Sequence, residues 1–513
     1  MAQPHDPKTQ VFVAGAGPTG LVLALWLTRA GIRVRIIDKA LEPGTTSRAL
    51  VVHARTLELY RQLGLADMVV EHGSKFVAIN LWVRSKHVGR VVLGDMGKGL
   101  SPFPYMVILP QDAHERLLID RLRNVGVVVE RGIELVDVTE APDHVRVRLK
   151  HLDGREESCD ADYLAGCDGA RSKVREVLDV GFPGGTYQHL FFVADVQATG
   201  PVMNHELHVD LHDSDFVAVF PLTDPGNARL IGVASEGESV TGSPLTWEDV
   251  SPRTVNSMGI KVERVNWFST YHVHHRVAGA FRRGRAFLLG DAAHIHSPVG
   301  GQGMNTGIGD AVNLAWKLAD VLRGRADADL LDTYQPERIA FARRLVATTD
   351  RGFVVATSPG PIARFVRIRV IPLLLPLILR LAVVRRFMFR TLSQIMIRYP
   401  ESALSEGKAG GVEGGDRLPW APDNHAVLDG MHWQVHIYGP ATPEIAAACS
   451  ARGLALKAFP WEPAMRKAGL RSGALYLVRP DGYVAFADAK QTAAGLGRYL
   501  DSRQLRFAGE STD

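Results

Sequence analysis

GRAFLLGDAAHIHSPVGGQGMNTGIGDAVNLAWKL, residues 284–318, joins an apolar run to a glycine-rich loop and then to a helical pattern. Ala286 to Leu289 are all apolar, which is typical of a short strand buried on both faces of a parallel sheet. Gly290 ends this run, and Asp291 follows at the carboxyl end of the strand. Open α/β sheets bind ligands at that edge, so the Asp291 carboxylate could accept a hydrogen bond from a ligand hydroxyl.

The loop beyond Asp291 contains Gly300, Gly301 and Gly303. Without side chains there, backbone N–H groups can approach a flat ligand closely, just before the helical pattern begins near Met304. The N-terminus of that helix would stabilise negative charge on the ligand. A strand, loop and helix packed only for structure is the alternative. We favour a ligand site, because glycine loops that follow strands often approach ligands.

A second glycine motif lies near the start of the chain, in VFVAGAGPTGLVLALWLTRAGIRVRIIDK, residues 11–39. Gly15, Gly17 and Gly20 fill the pattern GxGxxG between an apolar strand and a helical run. Asp38 ends the next strand, 18 residues after Gly20, where an acidic side chain meets the ribose hydroxyls of a dinucleotide. The motif therefore predicts dinucleotide binding but does not distinguish NAD from FAD.

Polar residues also follow two other strand ends. Gln111 stands at a strand–helix junction, and Asp168 ends the apolar strand in YLAGCDGARSKVREVL. These groups could converge with Asp38 on one ligand, since open sheets bind ligands beyond the carboxyl ends of their strands. Arg48 and Arg55 could bind a pyrophosphate bidentately, although surface solvation is an equally good explanation for Arg55.

Residues 185–275 change to short alternating runs separated by Gly, Pro, Asp and Asn, which predicts an antiparallel sheet inserted into the α/β domain, with part of 73–110 joining the same layer. One face of this sheet could cover the cofactor and hold a substrate. Phe216, Ala218 and Phe220 would share a face, and with Pro221 they are predicted to line the substrate pocket. Core packing is the alternative reason for the alternation.

Composition excludes several classes of protein. Lys+Arg 59 nearly cancels Asp+Glu 55, so nucleic acid is not expected as a partner. Cys159, Cys167 and Cys449 have neither the spacing of metal ligands nor that of a disulfide framework. The histidines at 272 and 274 are not accompanied by a third type of metal ligand, so no metal site is predicted. A reduced, cytoplasmic setting fits best. The oligomeric state, monomer or homodimer, stays open.

Two segments near the C-terminus have unusual composition. Residues 370–384, VIPLLLPLILRLAVV, are shorter than a spanning helix and contain prolines and Arg380, so we interpret them as a buried or interface helix, with peripheral membrane contact as the less favoured alternative. Residues 407–415 are rich in glycine and charge, which favours a linker. Residues 416–513 then alternate helix and strand and end in a tight hairpin, which suggests a thioredoxin-like unit; Cys449 is its only cysteine, so a dithiol redox role is excluded.

GAGPTG at 15–20, CDGARSKVRE at 167–176 and the stretch at 284–318 together resemble the three signatures of the FAD-dependent aromatic hydroxylases of the para-hydroxybenzoate hydroxylase type, in order and at suitable separations. The resemblance covers residues 11 to about 400. RPDGYVAF at 479–486 resembles the cysteine-free tail of the subgroup that acts on aromatic polyketides and phenols.

The resemblance implies an α/β fold with four parts: a discontinuous Rossmann-like FAD-binding domain at 1–184 and 276–345, a substrate-binding sheet at 185–275, a helical segment at 346–406 and a thioredoxin-like domain at 407–513. Asp38 would hold the adenosine ribose, although the family more often has Glu there. Asp168 would lie near the nicotinamide path, and Asp291 would bind the ribityl chain. The residues implied to contact FAD are Gly15, Gly17, Pro18, Thr19, Gly20, Asp38, Lys39, Arg48, Gln111, Asp168, Asp291, Pro298, Gly301, Gly303, Met304 and Asn305.

The implied reaction is monooxygenation with bound FAD, with NADPH or NADH as a transient co-substrate and O₂. Hydride reduces the FAD, O₂ adds to give a flavin hydroperoxide, and its distal oxygen passes to an electron-rich phenolic or polycyclic aromatic ring. The protein orients the ring and excludes water. No catalytic base is predicted. Epoxidation, Baeyer–Villiger oxygenation and a non-catalytic flavin-binding role remain alternatives.

Overall fold

The structure, a computed structural model, describes residues 8–44, 49–92, 96–212, 216–233, 245–250, 257–357 and 360–507. The elements of the first half are β1 Lys8–Ala14, α1 Pro18–Arg29, β2 Val34–Asp38, β3 Val51–Val52, α2 Ala54–Gln62, α3 Ala66–His72, β4 Ser74–Lys75, β5 Ala78–Val83, β6 Lys86–Val92, β7 Val107–Ile108, α4 Gln111–Asn124, β8 Glu130–Arg131, β9 Ile133–Glu140, β10 Val145–His151, β11 Glu156–Gly166, α5 Lys173–Val177, β12 Gly184–Thr199, β13 Leu207–Leu211, β14 Phe216–Pro221 and β15 Asn227–Val233.

The second half begins with the longest strand. Its elements are β16 Lys261–Val277, β17 Arg282–Arg283, β18 Ala286–Leu288, β19 His294–Ile295, α6 Gln302–Leu322, α7 Tyr334–Thr357, α8 Pro361–Phe365, α9 Ile371–Ile378, α10 Ala382–Leu392, β20 Glu406–Ala409, β21 Val412–Glu413, β22 Gln434–Tyr438, α11 Pro443–Ala451, β23 Ala455–Phe459, α12 Pro463–Lys467, β24 Leu475–Val478, β25 Val484–Asp488 and α13 Ala493–Ser502. A π-helical turn, Val366–Val370, joins α8 to α9.

The first sheet has the strand order β17-β18-β11-β1-β2-β8, with β9 and β10 continuing from β11 as an antiparallel hairpin. The four strands β18, β11, β1 and β2 run parallel. Most residues of these strands are apolar and fully buried, among them Val11, Ile36 and Leu288, because helices cover the sheet. Their carboxyl ends therefore share one edge, and Gly15, Asp38, Asp168 and Asp291 follow at that edge.

The second sheet has the order β19-β16-β12-β15-β14-β13-β5-β6. Its two longest strands, β12 and β16, pair antiparallel along almost their whole length. β5 and β6, from the 73–110 segment, join its far side through the parallel pair β13–β5. On β14 the alternation separates two faces: Val217 and Val219 pack in the sheet's own apolar cluster, whereas Ala218 belongs to the core that surrounds the first sheet.

The helices that follow connect these sheets to the C-terminal unit. α6 is buried along most of its length and packs against α1. Residues 370–384 were predicted to form one buried or interface helix, and the structure contradicts the single helix and its burial. They belong to two short helices, α9 and α10, and Leu373 is 73% and Val383 79% exposed. None of the helices in the described ranges is both long and apolar enough to cross a membrane.

A third sheet, β21-β20-β25-β24-β22-β23, forms the core of the C-terminal unit. The predicted linker at 407–415 is wrong: most of this segment is the hairpin β20–β21, and β20 pairs in parallel with β25. Glycines serve tight turns as well as linkers, and Gly407, Gly410 and Gly415 have φ values of 78°, 64° and 90° that other residues rarely adopt. Composition alone could not separate the two.

Candidate functional site

The two glycine motifs meet at Thr19, although they are far apart in the chain. A Cβ on Gly290 would lie 2.7 Å from the Thr19 Oγ1 atom, and one on Gly307 would lie 2.3 Å from it. Both glycines are therefore needed where the start of α1, the end of β18 and the first turns of α6 pack together. The two glycine motifs, which were predicted separately, therefore lie side by side at the same edge of the first sheet.

The GxGxxG turn is tightly packed on one side and open on the other. Gly15 has a φ of +104°, and a Cβ there would lie 2.3 Å from the carbonyl oxygen of Cys167. A Cβ on Gly20 would lie 2.0 Å from the Gly15 carbonyl oxygen, whereas nothing lies within 4 Å of one placed on Gly17. The N-terminus of α1, with Pro18 in its first turn, thus has open space beside its free N–H groups, as a pyrophosphate site requires.

Asp38 ties this turn to the second strand. Its carboxylate accepts hydrogen bonds from the backbone N–H of Ala16 at 2.7 Å and of Ala40 at 2.8 Å. Each carboxylate oxygen keeps a second lone pair, so Asp38 can accept further hydrogen bonds from ribose hydroxyls. Lys39 is exposed beside it, and Arg48 lies outside the described residues.

Asp168 and Gln111 both make hydrogen bonds to neighbouring protein groups. Asp168 accepts from the Ser172 hydroxyl at 2.5 Å and from the Lys173 N–H at 2.7 Å, which satisfies the first turn of α5. The Gln111 side chain accepts from the Ala49 N–H at 3.3 Å and donates to Glu115 at 2.8 Å. Asp168 thus lies at the shared edge of the first sheet, whereas Gln111 follows β7 of a separate small sheet, β3-β7-β4.

The second motif provides an exposed carboxylate and an irregular loop. Asp291 lies in a 3-10 turn, Gly290–Ala292, and is exposed. Pro298 precedes a turn in which Gly300 and Gly301 have φ values of 76° and 64°, so the chain changes direction just before α6. The first N–H groups of α6 are thereby presented beyond the loop, where negative charge would be stabilised.

Asn305 fixes the shape of this loop from beneath. Its side-chain oxygen accepts from the His53 N–H at 2.9 Å and from the Thr56 hydroxyl at 2.7 Å. Its amide nitrogen donates to the carbonyl oxygens of Val51 at 2.8 Å and Gly301 at 2.9 Å. Because all four bonding positions of the amide are filled, contact of Asn305 with a ligand would have to come through its backbone.

Three side chains around the loop have a buried polar atom without a hydrogen-bond partner among the described residues: Nδ1 of His53, Nε2 of His296 and Oγ of Ser297. His53 lies at the start of α2, and the sequence interpretation left both histidines without a role. Buried polar groups are normally paired, so these atoms fit a polar ligand bound beside the loop. The sequence does show two histidines within HIHSP. Neither their spacing nor the composition indicated which ring nitrogen would lack a hydrogen-bond partner.

Backbone carbonyls fix the tautomer of both rings. The Nδ1–H of His296 donates to the Ser297 carbonyl oxygen at 2.8 Å, which leaves Nε2 as an acceptor. His53 donates from Nε2 to the Gly301 carbonyl oxygen at 3.1 Å, which leaves Nδ1 as an acceptor. Burial lowers the pKa of each ring to about 4, so both are neutral at pH 7.

A buried charge network supports the loop on its inner side. Asp310 of α6 accepts from the Gly290 N–H at 3.0 Å, from His294 Nε2 at 2.7 Å and from Arg338 Nε at 2.6 Å. Burial alone would raise the pKa of Asp310, but Arg338 and His294 outweigh burial and lower it. His294 thus positions the strand end rather than facing a ligand.

Two of the sequence interpretations need correction. Arg55 neither binds at the open edge nor lies in solvent: it is buried, pairs with Glu58 at 3.0 Å and donates to the Asp481 carbonyl oxygen in the C-terminal unit. Phe216, Ala218 and Phe220 do share the face that meets the core of the first sheet. Pro221 is on the opposite face with Val219, where both line a small separate cavity, because side chains alternate along a strand.

Comparisons with known proteins agree with this geometry. The model of the family described as FAD binding domain matches residues 8–349. A 6-methylpretetramide 4-monooxygenase from Streptomyces rimosus is 38% identical over 422 residues, covering 80% of this chain and 73% of the relative. A 12-dehydrotetracycline 5-monooxygenase/anhydrotetracycline 6-monooxygenase from the same species is 31% identical over 94% of this chain and 96% of its own length.

Similarity to solved structures extends over the whole fold. The anhydrotetracycline hydroxylase OxyS from Streptomyces rimosus superposes with a TM-score of 0.77 at 29% identity, covering 98% of this chain and all of that one. The family match spans the strands, both glycine motifs and the network around Asp310 that form the site. The chain belongs to the FAD binding domain family, and within it to the FAD-dependent aromatic hydroxylases.

Proposed function

We propose that this protein hydroxylates a phenolic, polycyclic substrate of the aromatic polyketide type, with bound FAD, NADPH or NADH, and O₂. The observation that carries the proposal is the similarity over 94% of the chain to a relative named for oxygenation of 12-dehydrotetracycline and anhydrotetracycline. That similarity includes the second sheet and the C-terminal unit, not only the residues that would hold FAD.

The open edge suits an extended dinucleotide. The α1 N-terminus beside Gly17 would bind the diphosphate, Asp38 the adenosine ribose, Asp291 the ribityl chain, and the loop from Pro298 to Asn305 would lie along the ring. When bound, FAD accepts hydride and activates O₂ for transfer of one oxygen atom to the substrate ring. The residues of this chain bind, orient and shield those groups.

The second sheet would close the site from above. Phe216, Ala218 and Phe220 are directed to the core of the first sheet, and the small Ala218 leaves space between the two partly buried rings. This arrangement would hold a flat apolar substrate against the flavin and exclude water. We assign the substrate domain to 185–275 with part of 73–110, the FAD domain to 1–184 and 276–345, and the helical segment to 346–406.

We assign a thioredoxin-like fold to residues 407–513, based on the parallel pair β22–β23, the antiparallel pair β24–β25 and the helices that flank them. Its single cysteine, Cys449, is buried, so this unit would serve packing and not redox exchange.

Substrate-stimulated oxidation of NADPH tests the proposal. The FAD-loaded protein is incubated with a panel of mono-, tri- and tetracyclic phenols, and products are analysed by mass. We expect polycyclic phenols to accelerate NADPH consumption and to gain one oxygen atom. If no phenol or quinone accelerates it, the protein is not such a hydroxylase, and ring-expanded or epoxide products would assign it to the alternative oxygenations.

Replacing Asp291 with alanine is expected to weaken FAD binding by roughly tenfold or more, the usual effect of losing one or two hydrogen bonds to a charged group. Asp291 is exposed, so the fold should be retained. Flavin fluorescence titration of the apoprotein measures the dissociation constant of FAD. The control is Asp179→Ala, which removes an aspartate from another loop, where Asp179 has a φ of 50°. Unchanged FAD affinity would remove Asp291 from the site.

His296 is expected to accept a hydrogen bond from the bound flavin or the substrate hydroxyl through its free Nε2. His296→Phe keeps a ring but loses the acceptor, and should lower kcat roughly tenfold while FAD remains bound. His296→Gln, which can offer an amide oxygen, should recover part of the activity. Equal kcat values for the wild-type protein and the Phe variant would contradict this role.

A further inference from the structure

Helices α8 to α10 present large apolar side chains to solvent. Ile362 is 80%, Leu373 73% and Val383 79% exposed. The other large apolar residues exposed on the same segment are Phe365, Leu374, Leu377, Ile378, Leu381 and Phe387. Single exposed apolar residues are ordinary, but a contiguous group of this size marks a binding surface. We call residues 361–392 the apolar helical surface.

Arginines are interspersed with these apolar residues. Between Pro361 and Leu392 the sequence contains seven arginines, at 364, 367, 369, 380, 385, 386 and 390. The sequence has no Asp or Glu between Asp350 and Glu401. Arg369, Arg380, Arg386 and Arg390 are exposed. The surface is therefore both apolar and strongly basic, while the chain as a whole carries a formal net charge of only +4.

Buried residues hold the helices to the body of the protein, while their outer faces carry the exposed side chains named above. Phe389 is 2% and Leu379 7% exposed, and α9 packs beside β5 and β6 at the edge of the second sheet. The Leu392 carbonyl oxygen at the end of α10 accepts from Gln302 Nε2, the first residue of α6, at 2.9 Å. The same helices thus contact the loop of the FAD site at one end and solvent along their length.

We propose that the apolar helical surface docks on an anionic lipid membrane. Amphipathic helices that carry arginines and Leu, Ile or Phe side chains lie in the interface of a bilayer, where the apolar groups enter the acyl region and the basic groups bind anionic headgroups. Self-association would place arginines of one copy against those of another, since a two-fold interface uses the same patch twice. A lipid surface satisfies the apolar and the basic residues together.

Docking on a membrane does not depend on the reaction proposed above. It would, however, decide from which side a membrane-dissolved substrate reaches the protein. The surface lies at the edge of the second sheet and ends at the FAD loop. A polycyclic apolar substrate dissolved in the membrane would reach the protein on the side where it docks. Membrane binding does not require any particular substrate, so its test does not depend on turnover.

Vesicle flotation of the FAD-loaded protein tests the proposal, with vesicles of phosphatidylcholine alone and of phosphatidylcholine with phosphatidylglycerol. We expect binding to the anionic vesicles, at least roughly tenfold weaker binding to the neutral ones, and loss of binding as salt rises from low to about 1 M. No binding to anionic vesicles, or equal binding to both types, would overturn the proposal.

Two double variants separate the apolar from the electrostatic contribution to vesicle binding. Leu373→Ser/Leu377→Ser removes apolar side chains one helical turn apart, and Arg386→Gln/Arg390→Gln removes two charges; each should weaken vesicle binding more than roughly tenfold. Leu152→Ser is the control, because Leu152 is 68% exposed on the β10–β11 turn, outside the apolar helical surface. Flavin content and melting temperature should be unchanged in all three, since these side chains are exposed.

Light scattering on the same proteins tests whether a second copy of the chain, instead of a membrane, covers the apolar helical surface. If the wild-type protein forms a dimer that Leu373→Ser/Leu377→Ser dissociates, and the dimer does not bind vesicles, the surface is an interface between copies and the membrane proposal is wrong. A double variant that binds vesicles as well as the wild-type protein would also contradict it.

Discussion

Replacing Gly15 with alanine is expected to abolish retention of FAD through purification. The added Cβ would lie 2.3 Å from the carbonyl oxygen of Cys167, 2.5 Å from its carbonyl carbon and 2.8 Å from the Cα of Asp168. All three are backbone atoms at the end of β11, so no side chain can rotate away. The φ of +104° adds strain of about 1–3 kcal/mol for a residue other than glycine.

The clash must therefore be relieved by moving β1 and β11 apart at the edge where the diphosphate, Asp38 and Asp168 are placed. We expect FAD affinity to fall by roughly a hundredfold or more, because several contacts are displaced together. The ratio of flavin to protein absorbance and a fluorescence titration measure it. Gly154→Ala is the control: Gly154 has a similar φ of +84° but nothing within 4 Å of its Cβ position. Wild-type FAD affinity in Gly15→Ala would show that the turn is not the diphosphate site.

Glu337 carries the second large expected effect, on stability. Its carboxylate accepts from Arg479 at 2.8 and 3.0 Å, from Lys317 at 2.9 Å and from Ser402 at 2.6 Å, and all of these groups are buried. Burial alone would raise the pKa of Glu337, but Arg479 and Lys317 outweigh burial and lower it strongly. This residue of α7 thereby joins α6 to the C-terminal unit.

Glu337→Ala would leave Lys317 and Arg479 buried without that carboxylate, which costs about 3–5 kcal/mol in comparable buried pairs. We expect this loss in the free energy of unfolding from urea titration, and a lower melting temperature. Glu176→Ala is the control, since Glu176 pairs with Lys173 at the surface and its side chain is 69% exposed. A destabilisation no larger than that of Glu176→Ala would mean that the network does not hold the C-terminal unit in place.

Local sequence patterns predicted turns and strand ends correctly where short-range geometry requires a particular residue, whereas the ligand contacts of those residues stay predictions. The spacing of Gly15, Gly17 and Gly20, the aspartates at the ends of three parallel strands and the glycines before α6 all follow from turns that need glycine or from strands that end at one edge. The topology of a parallel sheet then brings these residues together. That is why motifs more than 250 residues apart could be expected to form one site.

Patterns failed where the outcome depends on distant partners. Arg55 is buried because its guanidinium donates hydrogen bonds to Glu58 and to the carbonyl oxygen of Asp481, 426 residues away. Phe216, Ala218 and Phe220 share one face of β14 as predicted, but Pro221 lies on the other face because side chains alternate along a strand. The apolar composition of residues 370–384 predicted a buried or interface helix, and composition could not decide between the two because exposure depends on what the remaining chain leaves uncovered. The free ring nitrogens of His53 and His296 likewise depend on which carbonyl each ring meets.

Incorporation of oxygen from ¹⁸O₂ shows directly whether the protein is an aromatic hydroxylase. The FAD-loaded protein is incubated with NADPH, a polycyclic phenol that stimulates its oxidation, and ¹⁸O₂, and the product is analysed by mass spectrometry. If the site formed by the two glycine motifs and the face of Phe216, Ala218 and Phe220 holds flavin and substrate together, the product gains one labelled oxygen atom on its ring. NADPH oxidation that yields only hydrogen peroxide, or a product whose new oxygen is unlabelled, would contradict the account.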